Sequence, residues 1–299
     1  AGDRVTKELL SQRKVSSFST TPSSTVESKK AGRSLSLFDR ISVNQITTYH
    51  WSLKESLLGL RKNSIPAVGL WNRKIFDTES AQAVELIIDS GLKVSTISLA
   101  GGFTGCNEYS YEEAISDAIQ LIKFGGQVHA SAIQVVSGPR AGHTLNHARE
   151  LTLDALKRLG DTAALHGTKL ALKTMELPLA QNWTFLNSLH ATLDLINACK
   201  HPNVGLSVNP VQLQNEEHIQ DLIPEIAPLI TAVQISEFEP GSALQDSFPG
   251  YAIIEAIHDA GYEGFFDLEI WSEQTWQSDY QNLLSQLRLA CQTETSPQF

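Results

Sequence analysis

The sequence contains little sulfur, and its few cysteines lack the spacing that metal or disulfide chemistry requires. Of the 299 residues, three are cysteine and one is methionine. Cys106, Cys199 and Cys291 are far apart and form no CxxC pair, so the sequence indicates neither a zinc site nor a disulfide framework. Dispersed thiols of this kind are typical of a reducing compartment, and we predict a cytoplasmic location.

Long apolar runs and an excess of positive charge are also absent. No run of about 18 apolar residues, the length that a membrane-spanning helix needs, occurs in the chain. The net charge is −10, which argues against nucleic acid and against an anionic membrane as partners, because both repel an acidic surface. We therefore expect neither a nucleic-acid partner nor a membrane partner.

The first 34 residues differ in composition from the rest of the chain. They are rich in Ser, Thr, Lys and Arg, as in SSFSTTPSSTVESKK. Such a segment buries too little apolar surface to offset the entropy lost on ordering. We predict a flexible arm over residues 1–34 and a single domain over residues 35–299. A basic, Ser-rich arm is also compatible with the remnant of a processed targeting segment.

From Ile41 onward, short β-branched segments alternate with longer helical patterns. The strand-like segments are 41–47, 65–71, 92–100, 131–138, 169–174, 203–209, 231–236 and 265–271, and the helix-like segments are 53–62, 78–90, 111–125, 145–166, 185–199, 217–228, 249–260 and 276–291. Eight strand–helix units of this length predict an α/β fold, a (β/α)8 TIM barrel. An open doubly wound sheet has the same alternation, but its first turn should carry GxGxxG, and TTYHWSLKE contains no glycine.

Two charged residues lie in otherwise apolar strand segments. Glu269 lies within FFDLEIW and Lys173 within KLALKT, both near the C-terminal strand ends where TIM barrels place their chemistry. A carboxylate there is costly unless it is paired, protonated or metal-bound. We predict an ion pair between the two side chains. The alternative for Lys173 is Schiff-base chemistry, which requires a lowered lysine pKa.

Other strand-end residues have both a functional and a simple structural interpretation. His143 is a candidate general acid or an exposed loop histidine, and Arg140 a candidate contact for an anionic group or a solvated arginine. Glu176 is a further candidate acid–base group. Trp71 is a candidate stacking surface for a sugar, or a core tryptophan.

The chain resembles the sugar phosphate isomerase/epimerase family with a xylose-isomerase-like TIM barrel. The resemblance rests on stretches that together cover almost everything after residue 40, namely 45–71, VSTISLAGGFT (94–104), AALHGTKLALKTMELP (163–178), 182–196, PNVGLSVN (202–209) and AGYEGFFDLEIWSE (260–273). It implies a sugar substrate and a divalent metal such as Mn²⁺ or Mg²⁺, held by four side chains at strand ends, with two glutamates that move protons.

This chain departs from the family pattern at most of the positions that hold the metal. The four ligand positions fall on Lys173, Asn209, Gln234 and Glu269, so only the last glutamate is retained. The formal charge of the set changes from −3 to zero, counting Lys173 as +1 and Glu269 as −1. Hard divalent cations require anionic oxygens or imidazoles, so we predict no metal cofactor. Gln212 and Glu237 fall beside these positions and are, with the two amides, candidate substrate-binding residues.

Three functions remain open from the sequence. The first is a sugar isomerase or epimerase-like protein that acts on or binds a small sugar or polyol without the family's metal. The second is a non-catalytic barrel that binds a polyol or a protein partner. The third is a lyase that forms a Schiff base through Lys173. Assembly into a homo-oligomer is compatible with all three.

Overall fold

The computed structural model describes residues 36–105, 109–176, 179–240 and 244–292. The predicted arm, residues 1–34, lies outside the described residues. Eight parallel strands close into a barrel in chain order: β1 (Ile41–Asn44), β2 (Ala67–Trp71), β3 (Lys93–Gly101), β4 (Ala132–Val136), β5 (Lys169–Lys173), β6 (Val204–Val208), β7 (Ile230–Ile235) and β8 (Phe266–Leu268). β8 pairs back onto β1, with Val43 opposite Leu268, which completes the closure. The predicted TIM barrel is confirmed, and the open sheet is excluded.

Helices cover the outside of the barrel and fill the loops at its ends. They are α1 (Leu37–Arg40), α2 (Leu53–Lys62), α3 (Asn72–Phe76), α4 (Ser80–Ser90), α5 (Tyr111–Gln127), α6 (Leu145–Leu165), α7 (Leu189–Cys199), α8 (Pro210–Leu213), α9 (Ile219–Ile226), α10 (Leu244–Ser247), α11 (Tyr251–Asp259), α12 (Glu273–Trp276) and α13 (Tyr280–Gln292). Local sequence explains several boundaries. Ser52 with Glu55, and Ser110 with Glu113, form capping boxes at the starts of α2 and α5.

The helix predicted over 111–125 extends two residues further and contains two glycines in its last turns. Gly125 and Gly126 belong to the last turns of α5, which continues to Gln127. A Cβ at Gly125 would lie 2.7 Å from Cδ1 of Ile133, so its absence lets α5 approach β4 closely. Gly91, by contrast, ends α4 with a φ of +68°, the left-handed conformation that favours glycine at a helix C-cap.

The barrel interior contains both small apolar side chains and a buried polar group. Ala132, Ala171 and Ala232 form a buried cluster of small side chains. Asn44, Thr96 and Asp267 form a hydrogen-bonded group, and all three are buried. Gly69 makes room for this group, because a Cβ there would lie 2.4 Å from a carboxylate oxygen of Asp267. Glu269 lies two residues beyond Asp267, immediately after the end of β8, and so lies at the C-terminal end of the barrel.

Candidate functional site

A large cavity occupies the C-terminal end of the barrel. Its volume is about 1450 Å³. Eight of the ten predicted site residues line it, namely Trp71, Lys173, Glu176, Asn209, Gln212, Gln234, Glu237 and Glu269. They come from five strands and the segments that follow them, so the barrel brings together residues that are almost 200 positions apart in the chain. Arg140 and His143 lie outside the lining of this cavity.

Glu269 is the centre of the polar network in the cavity floor. Its side chain is only 3% exposed. Oε1 accepts hydrogen bonds from Nζ of Lys173 at 2.8 Å and from Nε1 of Trp271 at 3.0 Å. Oε2 accepts from Nε2 of Gln234 and from the hydroxyl of Ser98, the latter at 3.4 Å. The predicted ion pair is therefore present, and two further donors hold the carboxylate from the other side.

This network determines what Glu269 can do chemically. A carboxylate that accepts hydrogen bonds on both oxygens, one of them from an ammonium group, is held in one position and orientation. The same donors occupy the lone pairs with which it would remove a proton from a substrate carbon. The arrangement therefore suits a fixed negative charge better than a general base.

The four family ligand positions do not fit a divalent metal. They present one carboxylate, two amides and one ammonium, and the ammonium of Lys173 contacts the only carboxylate. A cation placed beside Glu269 would meet the positive charge of Lys173 at short range. Among the described residues, no group of three or more His, Cys, Asp or Glu side chains converges as a metal site.

The two amide positions have structural roles as well as facing the cavity. Oδ1 of Asn209 accepts a hydrogen bond from the backbone N–H of Val211 at 3.0 Å and so caps α8. Gln234 links its neighbours, since Oε1 accepts from the Ser207 hydroxyl at 3.4 Å while Nε2 donates to Glu269. Gln234 is therefore held in one orientation by the network.

Acidic side chains lie on the side of the cavity near β5, β6 and β7. Glu176 and Glu237 are both exposed. Glu216, close to Glu176, has a raised pKa because of its partial burial and the negative charge of Glu176. Any ligand near this side experiences a negative potential, which opposes the binding of an anion.

Trp71 lies half-buried in the cavity wall. Its backbone N–H donates to Oε1 of Gln45 at 3.0 Å, and its ring lies 5.5 Å from that of Tyr49.

Nearby, the buried Lys74 donates to the backbone carbonyls of Gln45 and Thr48 at 2.8 and 2.7 Å. Burial lowers the pKa of Lys74 to about 7, an effect that the charge of Glu55 partly offsets. These contacts fix the loop after β1 against Trp71.

The loop after β4 explains why two predicted residues lie away from the cavity. Nε2 of His143 is 2.8 Å from the carbonyl oxygen of Thr104, and the centroid of its ring lies 4.8 Å from that of His147, with the two rings tilted by 57°. His143 therefore joins two loops, while Arg140 is exposed. The sequence placed both residues after a strand end, but it could not give the direction in which this long loop turns.

Sequence reasoning missed Asp267, which lies beneath Glu269. Asp267 is fully buried, and its hydrogen-bond donors, Asn44 at 3.1 Å and Thr96 at 2.8 Å, are neutral. Burial is the main cause that raises its pKa to about 6; the charge of Glu269 adds to the rise and the hydrogen bonds oppose it. The sequence does indicate its position, because Asp267 and Glu269 are two residues apart in the extended segment FFDLEIW, and alternate residues of an extended segment face the same side.

The substitution Asp267→Asn should stabilise the protein at neutral pH. A folded-state pKa above the usual value near 3.9 means that the native state binds more protons, so the wild-type stability falls as the pH rises from about 4 to about 6. An asparagine removes this cost, about 3 kcal/mol at pH 7.5. Urea unfolding at pH 4 and pH 7.5 measures it, with the exposed Asp89→Asn as control. An equal effect at both pH values would contradict a buried, titrating Asp267.

Comparisons with known proteins agree with the barrel fold. The chain belongs to the xylose isomerase-like TIM barrel family, whose model matches residues 65–289. A protein from Sinorhizobium meliloti 1021 has a crystal structure that matches with a TM-score of 0.76 at 19% identity, over 86% of this chain and 98% of that chain. An L-ribulose 3-epimerase matches with a TM-score of 0.69 at 19% identity, over 85% and 95% of the two chains.

A third similar structure is a 3-keto-D-glucoside 4-epimerase from E. coli in its apo form. It has a TM-score of 0.68 at 16% identity, over 85% of this chain and 99% of that chain. At such identities these likenesses show the fold alone. No curated protein matches the sequence. Within the described part of the chain, none of the helices has the length and apolar character to cross a bilayer.

Proposed function

We propose that this protein binds a small, unphosphorylated sugar or polyol in the cavity, with the Lys173 ammonium in place of the family's metal ion. The observation that carries the proposal is the 2.8 Å contact between Lys173 and Glu269 at the cavity floor. An ammonium donates hydrogen bonds in several directions, and Lys173 remains 19% exposed, so it can also meet a ligand hydroxyl. Glu269 then acts as a fixed anchor for the ammonium.

The charge of the cavity favours a neutral ligand. The charged residues in its described lining are Arg73, Lys173, Glu176, Glu237, Glu239, Glu269 and Asp279, two cations against five carboxylates. Lys173 is already paired with Glu269, and the Arg73 guanidinium lies over the Trp71 ring at 5.7 Å. A phosphate group would therefore meet more negative than positive charge.

The structural neighbours support a sugar as the class of ligand. Two of them are named as epimerases of a ketose and of a keto-glucoside. The Schiff-base alternative is less well supported, because its nucleophile would be the Lys173 nitrogen, which is held against Oε1 of Glu269 at 2.8 Å. We therefore propose binding without the proton shuttle of the family.

Isothermal titration calorimetry tests this proposal. The protein is dialysed against EDTA and titrated with D-xylose, D-glucose and myo-inositol, and with D-xylose 5-phosphate and D-glucose 6-phosphate. We expect saturable binding of at least one neutral compound, at least about tenfold weaker binding of its phosphate, and loss of binding in Lys173→Met. Leu165→Ala is the control, because Leu165 is exposed at the end of α6, away from the cavity.

Three results would contradict the proposal. Tighter binding of a phosphorylated sugar would show that the acidic lining does not select against anions. Binding that appears only after Mn²⁺ is added would show that a metal is needed. Covalent trapping of a sugar on Lys173 by borohydride would establish the lyase mechanism instead.

Two further expectations remain proposals. A cytoplasmic location is supported by the small number and wide spacing of the cysteines. Assembly into a homo-oligomer is compatible with the fold.

A further inference from the structure

Two tryptophans are exposed side by side at the rim of the cavity. Trp183 is 44% exposed and Trp271 is 51% exposed, and their ring centroids lie 6.4 Å apart at an interplanar angle of 63°. Both rings belong to the lining of the cavity. Exposure of two large aromatic rings to water is unfavourable, and exposed apolar patches of this kind mark binding sites.

The position of each tryptophan is fixed by the structure around it. Trp183 follows a short 3-10 helix, and its carbonyl oxygen accepts a hydrogen bond from the backbone N–H of Gly138 at 3.0 Å. The adjacent Thr184 hydroxyl lies 2.7 Å from that of Ser137, at the end of β4. The Trp183 ring is therefore held at the rim by contacts that do not involve its own side chain.

Trp271 connects this rim to the ion pair. Its Nε1 donates to the same Glu269 oxygen that Lys173 contacts, at 3.0 Å. One edge of the indole thus touches the cavity floor, while its ring extends toward Trp183 at the mouth. A ligand seated on Lys173 and extended outward would pass along the Trp271 ring.

The cavity is larger than one sugar ring needs, and part of its lining is suited to hydroxyl groups. Its 1450 Å³ is larger than the range of roughly 300–1,000 Å³ usual for sites of small molecules. The lining of the cavity also includes the amide side chains of Asn182, Gln274, Asn282 and Gln286. Amides both donate and accept hydrogen bonds, which suits neighbouring hydroxyl groups, and tryptophan rings suit the apolar C–H face of a pyranose.

We propose that the ligand is a glycoside of at least two sugar rings. The first ring contacts the Lys173–Glu269 pair, and the second stacks against Trp183 and Trp271. This inference rests on the proposed function, because it assumes that a neutral sugar occupies the cavity floor. It adds a second subsite and specifies an unphosphorylated disaccharide or longer glycoside as the class of ligand.

Calorimetry with matched ligands tests the second subsite. The probes are methyl D-glucosides of both anomers, the disaccharides maltose, cellobiose, trehalose and lactose, and p-nitrophenyl D-glucosides. We expect one disaccharide to bind at least about tenfold more tightly than any methyl glucoside. Trp183→Ala should remove this advantage while leaving the affinity for the methyl glucoside unchanged. Leu165→Ala should alter neither, and thermal melting verifies that each variant is folded.

The possible outcomes separate the subsite from the proposed function. Equal affinities for methyl glucosides and disaccharides, or a disaccharide advantage that persists in Trp183→Ala, would overturn the second subsite alone. Tighter binding of p-nitrophenyl glucosides than of any disaccharide would also overturn it, since the rim would then prefer an aromatic group to a sugar. If neither methyl glucosides nor disaccharides bind, and the compounds of the first titration fail as well, both proposals are wrong.

Discussion

Lys173→Met is expected to lower the free energy of unfolding by about 3–5 kcal/mol, the usual cost of removing one partner of a buried ion pair. The physical reason is that the Glu269 side chain is 3% exposed and cannot regain hydration when the ammonium is removed. Gln234, Trp271 and Ser98 continue to donate hydrogen bonds, but none of them carries a positive charge. Thermal melting should show a decrease of roughly 2–4 °C per kcal/mol.

The reverse variant, Glu269→Gln, should cost less. Lys173 is 19% exposed and lines the cavity, so its ammonium can turn toward water once the carboxylate is gone. The double variant Lys173→Met with Glu269→Gln should cost less than the sum of the two single changes, because the pair is then absent altogether. Strictly additive costs, or a larger cost for Glu269→Gln than for Lys173→Met, would contradict a buried carboxylate that depends on Lys173.

Restoring the family's ligands should produce a protein that responds to Mn²⁺. In Lys173→Glu with Asn209→Asp, the four positions would carry three carboxylates and the amide of Gln234, a set with a charge of −3. Their mutual repulsion should destabilise the metal-free protein, and Mn²⁺ should relieve it. At a metal concentration 100 times the Kd, binding adds about 2.7 kcal/mol, or roughly 5–10 °C in Tm.

The wild-type chain and the single variant Asn209→Asp are the controls for this experiment. Both keep the Lys173 ammonium against Glu269, so neither should gain stability from Mn²⁺. The single variant would retain the cap of α8, because aspartate and asparagine are equivalent at an N-cap position. A wild-type response as large as that of the double variant would show that Lys173 does not prevent metal binding.

The barrel and the ion pair could both be predicted because each depends on a local pattern combined with a general rule. Alternating strand and helix segments define the fold, and the rule that chemistry lies at C-terminal strand ends selects Lys173 and Glu269. Both side chains face the barrel axis, and they meet at 2.8 Å although they are 96 residues apart in the chain.

The parts that escaped prediction depend on packing between distant segments. Trp271 in the sequence EIW is indistinguishable from a core tryptophan, and only the structure shows it between Glu269 and Trp183. His143 follows a strand end like the site residues, but its contact with Thr104 holds it in the loop. Asp267 is different, since it was missed although its two-residue spacing from Glu269 indicates that both side chains face the barrel interior.

A positive charge on a side chain is present at the site in every protein molecule, whereas a bound metal ion is present only in the molecules that have bound it. An ion site is filled according to the free concentration of its metal, and any divalent metal that binds more strongly can replace the intended one. Lys173 is covalently part of β5 in every copy of the protein, so it neither dissociates from the site nor is replaced by another ion. Ligand binding that relies on it would therefore be independent of the supply of trace metals in the cell.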